Sequence, residues 1–128
     1  LTGHVELARR IDVPIALGEN LHTTYRFAEY LRAGAASVVQ PNVVRVGGIT
    51  PFRRIADIAA EHGATLHPHL LPELSGQLAM TLGEGTLAED VEDAGFGDLG
   101  ALLDESPVQI TDGTLTERDH LGLGLRFA

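Results

Sequence analysis

Residues 36–67, "ASVVQPNVVRVGGITPFRRIADIAAEHGATLH", decide the fold class, because they spell a strand, a helix and a second strand in that order. The run 36–40 is apolar and β-prone and stops at Pro41 and Asn42. Thr50 and Pro51 read as an N-cap followed by Pro in the first helical position, where its missing N–H costs nothing. Ile55, Ile58, Ala59 and His62 then keep helical spacing up to Gly63, the expected stop. The stretch 64–67, "ATLH", begins the next strand. Upstream the pattern repeats: "VPIALG" at 13–18 ends at Glu19 and Asn20, and a helix over about 23–33 carries Phe27, Tyr30 and Leu31 before Gly34. Downstream a third helix is expected over 73–82. Apolar strands alternating with helices predict βαβ units on a parallel sheet.

The 128 residues suit one domain with a sizeable core. The chain has no Cys, which removes disulfides and thiolate metal sites. Its apolar runs are far shorter than a membrane span, and "LTGHVELARR" has the look of neither a signal nor a transit peptide, so no membrane partner and a cytoplasmic location are expected. The absence of an initial Met suggests a fragment. Eighteen acidic residues face nine basic ones, all Arg, and the net charge of −9 argues against a nucleic-acid partner. No basic residue lies between Arg54 and Arg118, whereas Glu84, Glu89, Asp90, Glu92, Asp93, Asp98, Asp104 and Glu105 crowd that segment; the plain reading is a solvated acidic face.

After residue 94 the pattern changes. "VQITDGTLT", 108–116, sets Asp-Gly between two β-prone runs, a strong hairpin signal, and a Gly-interrupted "LGLGLRF" follows. The expected division is therefore 1–94 for the strand and helix units and 95–128 for a different, smaller appendage.

In parallel α/β folds ligands collect at the C-terminal ends of the strands. Those ends carry Glu19, Asn42 and the pair His67 and His69, each able to bind a ligand or move a proton. Alternation sends His67 and His69 to one face, and Pro68 between them, lacking an N–H, should end the regular strand. Polar residues are also ordinary at strand ends, so the spacing alone names no reaction. Glu73 reads as a first-turn acid favoured by the helix dipole.

"PIALGEN", "VVQPNVVRVGGITPFRRIADIAAEHG" and "LHPHLLPEL", in this order, resemble the C-terminal part of the enolase superfamily, in its mandelate racemase branch with the acid-sugar dehydratases. The resemblance covers essentially the whole chain. It implies the last portion of a modified (β/α) TIM-type barrel, with the hairpin and tail returning toward a capping domain. It also implies abstraction of the proton next to a carboxylate, with the enediolate stabilised on Mg²⁺. On this resemblance Glu19 is a metal ligand, His69 the general acid/base, Glu89 a substrate-carboxylate contact, His67 a pocket residue and His22 a further substrate contact. The partner is then a small sugar acid, and the parent enzyme is expected to be a homo-oligomer.

Asn42 stands where the family usually has Asp. An amide oxygen can accept the imidazole N–H of His69 and orient it, but brings no charge to stabilise the imidazolium. That favours a histidine delivering a proton to a departing hydroxyl, as in a dehydratase, and leaves a racemase, a cycloisomerase or an inactive remnant as alternatives. The muconate-lactonising branch contributes a Lys from this region; with no Lys in the chain that branch is disfavoured.

Overall fold

Backbone hydrogen bonds join three short parallel strands into the sheet that the alternating pattern predicts. The computed structural model describes residues 1–128 and divides into two compact units, Leu1–His69 and Leu70–Ala128. In the first unit the order is α1 (Thr2–Ala8), β1 (Ala16–Leu17), α2 (Thr24–Arg32), β2 (Val38–Val39), α3 (Ile49–Glu61) and β3 (Thr65–Leu66). The sheet order is β1-β2-β3, with Ala16 opposite Val38 and Val38 opposite Thr65. Phe27 and Leu31 of α2, Phe52, Ile55 and Ala59 of α3, and Val39 and Leu66 of the sheet form the buried core.

Helix α2 starts on the Thr23 hydroxyl, which accepts from Arg26 N, and α2 and α3 finish alike. Gly34 N and Gly63 N bond the carbonyls of Leu31 and Ala60, while Ala35 N and Ala64 N bond those of Tyr30 and Ala59. These are paired Schellman closures, with both glycines at positive φ, and each turns the chain directly into the next strand.

Regular strand geometry ends at Leu66, yet the ladder continues. Thr65 N, His67 N and His69 N bond the carbonyls of Ser37, Val39 and Pro41 at 3.0, 3.0 and 3.2 Å. Pro68 interrupts nothing, because alternate N–H groups face opposite sides and its own position faces away from β2. It is fully buried beside the buried His69.

The second unit contains a π-helical turn (Pro72–Gly76), α4 (Gln77–Met80) and the hairpin β4 (Val108–Thr111) and β5 (Thr114–Glu117). Asp112 and Gly113 both have positive φ, as a type I′ turn requires, and Thr111 pairs with Thr114. Leu102 bridges Phe127, whose ring meets Phe96 edge-on at 5.1 Å. No helix is long and apolar enough to cross a membrane.

Several expectations are corrected. Helix α3 begins at Ile49 with Gly48 as its cap, so Pro51 stands third rather than first; Gly48 and Gly47, both at positive φ, turn the chain into the helix earlier than Thr50 would. The single helix expected over 73–82 is a π turn followed by one short α segment. Leu70 and Leu71 both take left-handed φ, and Ser75 Oγ bonds both of their carbonyls, 2.9 Å from that of Leu71, which widens the first turn. Glu73 does lie in that first turn, but it is buried, and its Oε1 accepts from Gly97 N at 2.9 Å. Helix α1 was not anticipated, since it buries no residue of its own; the N-terminal amine meets Tyr30 Oη at 3.2 Å and His4 meets the Tyr30 ring edge-on.

Candidate active site

Three chain segments leave the C-terminal ends of β1, β2 and β3, and their polar side chains meet. Gly18 makes the first exit: at φ +140° it lies so close to β2 that a Cβ would come within 2.9 Å of Gln40 N and 2.8 Å of Phe27 Cε1. Glu19 follows, with its side chain about half exposed. Its Oε2 lies 3.4 Å from His69 Nε2, and its Oε1 accepts from Asn20 Nδ2 at 3.0 Å.

The second exit is built on buried Asn42. Its Oδ1 accepts from Val44 N and Arg45 N, both at 3.1 Å, closing the turn after Pro41, and its Nδ2 donates to the His69 carbonyl at 3.4 Å. Two backbone donors occupy both lone pairs of that oxygen, which fixes the amide orientation and replaces the expected bond to the imidazole N–H. Asn42 thus grips the backbone of His69. From the other side Pro41 O holds the His69 N–H.

Arg45 ties the first two exits together. Its Nη1 donates to Glu19 O at 2.9 Å and to Asn20 Oδ1 at 3.2 Å. Neither Arg45 nor Asn20 was singled out as a site residue from sequence, where Arg45 is one loop arginine and Asn20 a strand stop. Their only signal was position, each beside a residue that was singled out.

Glu19, Asn42 and His69 are therefore brought together. His67, half-buried, stands at the end of β3, and His22 is exposed in the loop between β1 and α2. Glu89 belongs to the second unit and is half-buried; it lies in an irregular segment and not at the end of a strand, since the parallel sheet consists of β1, β2 and β3. A carboxylate with an exposed oxygen is a fit ligand for a hard divalent cation. The chain has no group of three His, Asp or Glu side chains able to hold a metal, so Glu19 fits as one protein ligand among others and not as a closed site. What the cluster can do chemically is bind a cation through Glu19 and present an imidazole nitrogen next to it.

The enolase C-terminal domain-like family model matches residues 1–128. The L-talarate/galactarate dehydratase of Salmonella typhimurium strain LT2 is 40% identical over 129 residues, covering 100% of this chain and 31% of that protein. The 3,6-anhydro-alpha-L-galactonate cycloisomerase of Streptomyces coelicolor is 34% identical over 125 residues, covering 98% of this chain and 33% of that one. This chain thus spans about a third of the length of the curated relatives it matches. Among solved structures, L-talarate dehydratase from Polaromonas sp. JS666, complexed with Mg and L-glucarate, superposes with a TM-score of 0.84 at 36% identity, over 98% of this chain and 34% of that one. A parallel α/β sheet with a carboxylate at the end of β1 and a histidine at the end of β3, joined to a match over its whole length, makes this chain a member of the enolase C-terminal domain-like family, in the mandelate racemase branch of the enolase superfamily.

Proposed function

We propose that the chain forms the later part of a TIM-type barrel in a Mg²⁺-dependent sugar-acid dehydratase, with residues 95–128 leading toward a capping domain. The observation that carries this reading is the 3.4 Å approach of Glu19 Oε2 to His69 Nε2 at the strand ends, supported by 40% identity to a dehydratase. A divalent cation ligated in part by Glu19 would draw electron density from the substrate carboxylate and so acidify the neighbouring C–H. Glu19 supplies one oxygen ligand. His69, held through its backbone by Pro41 and Asn42, presents Nε2 and gives a proton to the hydroxyl leaving the β-carbon, so that the C–O bond breaks with release of water. A base outside these residues takes the α-proton, and the enol that results tautomerises to the 2-keto-3-deoxy acid. Glu89, His67 and His22 are assigned to holding substrate, and the parent enzyme is a homo-oligomer.

A cycloisomerase of the same scaffold is the second reading, favoured by the 34% identity to the Streptomyces enzyme. The test is to express the longest open frame containing this chain and to incubate it with Mg²⁺ and a library of sugar acids. A 2-keto-3-deoxy product is expected, with kcat reduced about 10²- to 10⁴-fold in His69→Asn, the usual worth of a positioned acid or base. Product should also fall away in Glu19→Gln. Isomerised sugar acid without loss of water would establish the second reading, and full turnover in both variants would overturn the site assignment.

A further inference from the structure

Glu19 is half exposed on a loop, where an unsupported carboxylate samples several rotamers, yet every group around it is held. Asn20 Nδ2 holds its Oε1, and Asn20 Oδ1 is in turn held by Arg45 Nη1, which also bonds the Glu19 carbonyl. The backbone N–H of Arg45 is anchored on Asn42 Oδ1, and Asn42 Nδ2 holds the carbonyl of His69. The contacts close a circuit through all three strand exits, from Arg45 to Asn20, Glu19 and His69, and back through Asn42.

The chemistry of the contacts is selective. A guanidinium placed on the carboxylate itself would neutralise it and compete with a cation. Arg45 instead bonds two neutral oxygens, a carbonyl and an amide, and the carboxylate receives its N–H from uncharged Asn20. Its negative charge stays available while its direction is set.

We infer that Arg45 is a positioning residue, which, through Asn20, holds the Glu19 carboxylate in the one orientation that serves both a divalent cation and His69. The inference rests on the assignment of Glu19 as a metal ligand. Groups that orient a metal ligand from behind typically govern metal affinity by 10- to 100-fold. Arg is suited to this role because the two hydrogens of its Nη1 are fixed in the guanidinium plane and diverge toward the two oxygens, whereas a Lys ammonium rotates freely about its stem.

The test uses the longest open frame containing this chain, with Mn²⁺ as a paramagnetic probe read by electron spin resonance and Mg²⁺ binding read by calorimetry. Arg45→Met and Asn20→Ala should each raise the Mn²⁺ Kd about 10- to 100-fold, with the thermal midpoint of the metal-free protein near that of wild type. Arg45→Lys should recover part of the affinity. Should Arg45→Met fail to fold, Asn20→Ala interrupts the same relay without removing the charge. Unchanged Kd in the folded variants, with binding abolished in Glu19→Gln, overturns the inference and leaves the metal assignment standing. Wild-type protein that binds no Mn²⁺, or Glu19→Gln that binds as wild type does, overturns the metal assignment and the inference with it.

Discussion

Gly18 has no room for a β-carbon, so the direction in which Glu19 leaves the sheet is set by the residue before it. Gly18→Ala adds a strained φ to a clash with the backbone of Gln40, and the expected loss of stability is about 3 kcal/mol or more. Urea midpoints measure it, and a midpoint equal to wild type would contradict the close approach. Glu19, Asn42 and His69 were legible in the sequence because each stands where an apolar run stops, at a position that the topology makes equivalent. Arg45 was not, since its partners Glu19 and Asn20 lie 26 and 25 residues upstream and an isolated loop arginine has no periodicity to betray it. The role of Asn42 was legible only in part. An amide both donates and accepts, and only the folded turn, with Val44 N and Arg45 N on its oxygen, decides which end faces His69.

Helices α2 and α3 are delivered into the sheet by glycines in left-handed conformation, and Gly63 has open space around the position of a β-carbon. Gly63→Ala should therefore cost only the backbone term, about 1–2 kcal/mol, without disturbing the core. A thermal midpoint unchanged from wild type would show that another closure replaces the Schellman pair. The helix ends and the Asp-Gly hairpin were readable because glycine and the turn dipeptide act locally. The start of α3 was misjudged because Gly48 at φ +107° caps it two residues ahead of the conventional Thr50. The segment after His69 was misjudged for a similar reason: Leu70 and Leu71 adopt a conformation that their β-carbons oppose, and the widened turn that follows depends on the Ser75 hydroxyl and not on hydrophobic spacing.

The three-stranded sheet is covered by helices on one face, while the cross-strand row Ala16, Val38 and Thr65 on the other is exposed or half-exposed. All-parallel sheets are ordinarily buried on both faces, and unpaired edges invite pairing with another chain. Apolar side chains elsewhere are equally bare, with Val13 69% and Tyr25 83% exposed, more than a self-sufficient unit needs to leave in water. The 128-residue chain expressed by itself should therefore self-associate, despite its net charge of −9, whose repulsion is screened within roughly 8 Å at physiological salt. Light scattering checks this, and a monodisperse species of 13.6 kDa would contradict it. The bare face also has a calorimetric meaning. A sheet that has withdrawn apolar surface from water on one side only has correspondingly less to return on unfolding. The heat-capacity increment of the isolated chain accordingly falls below the roughly 12–15 cal/mol/K per residue of a fully covered domain. Its stability then varies only gently with temperature, and cooling and warming affect it more evenly than they would the same strands buried on both sides.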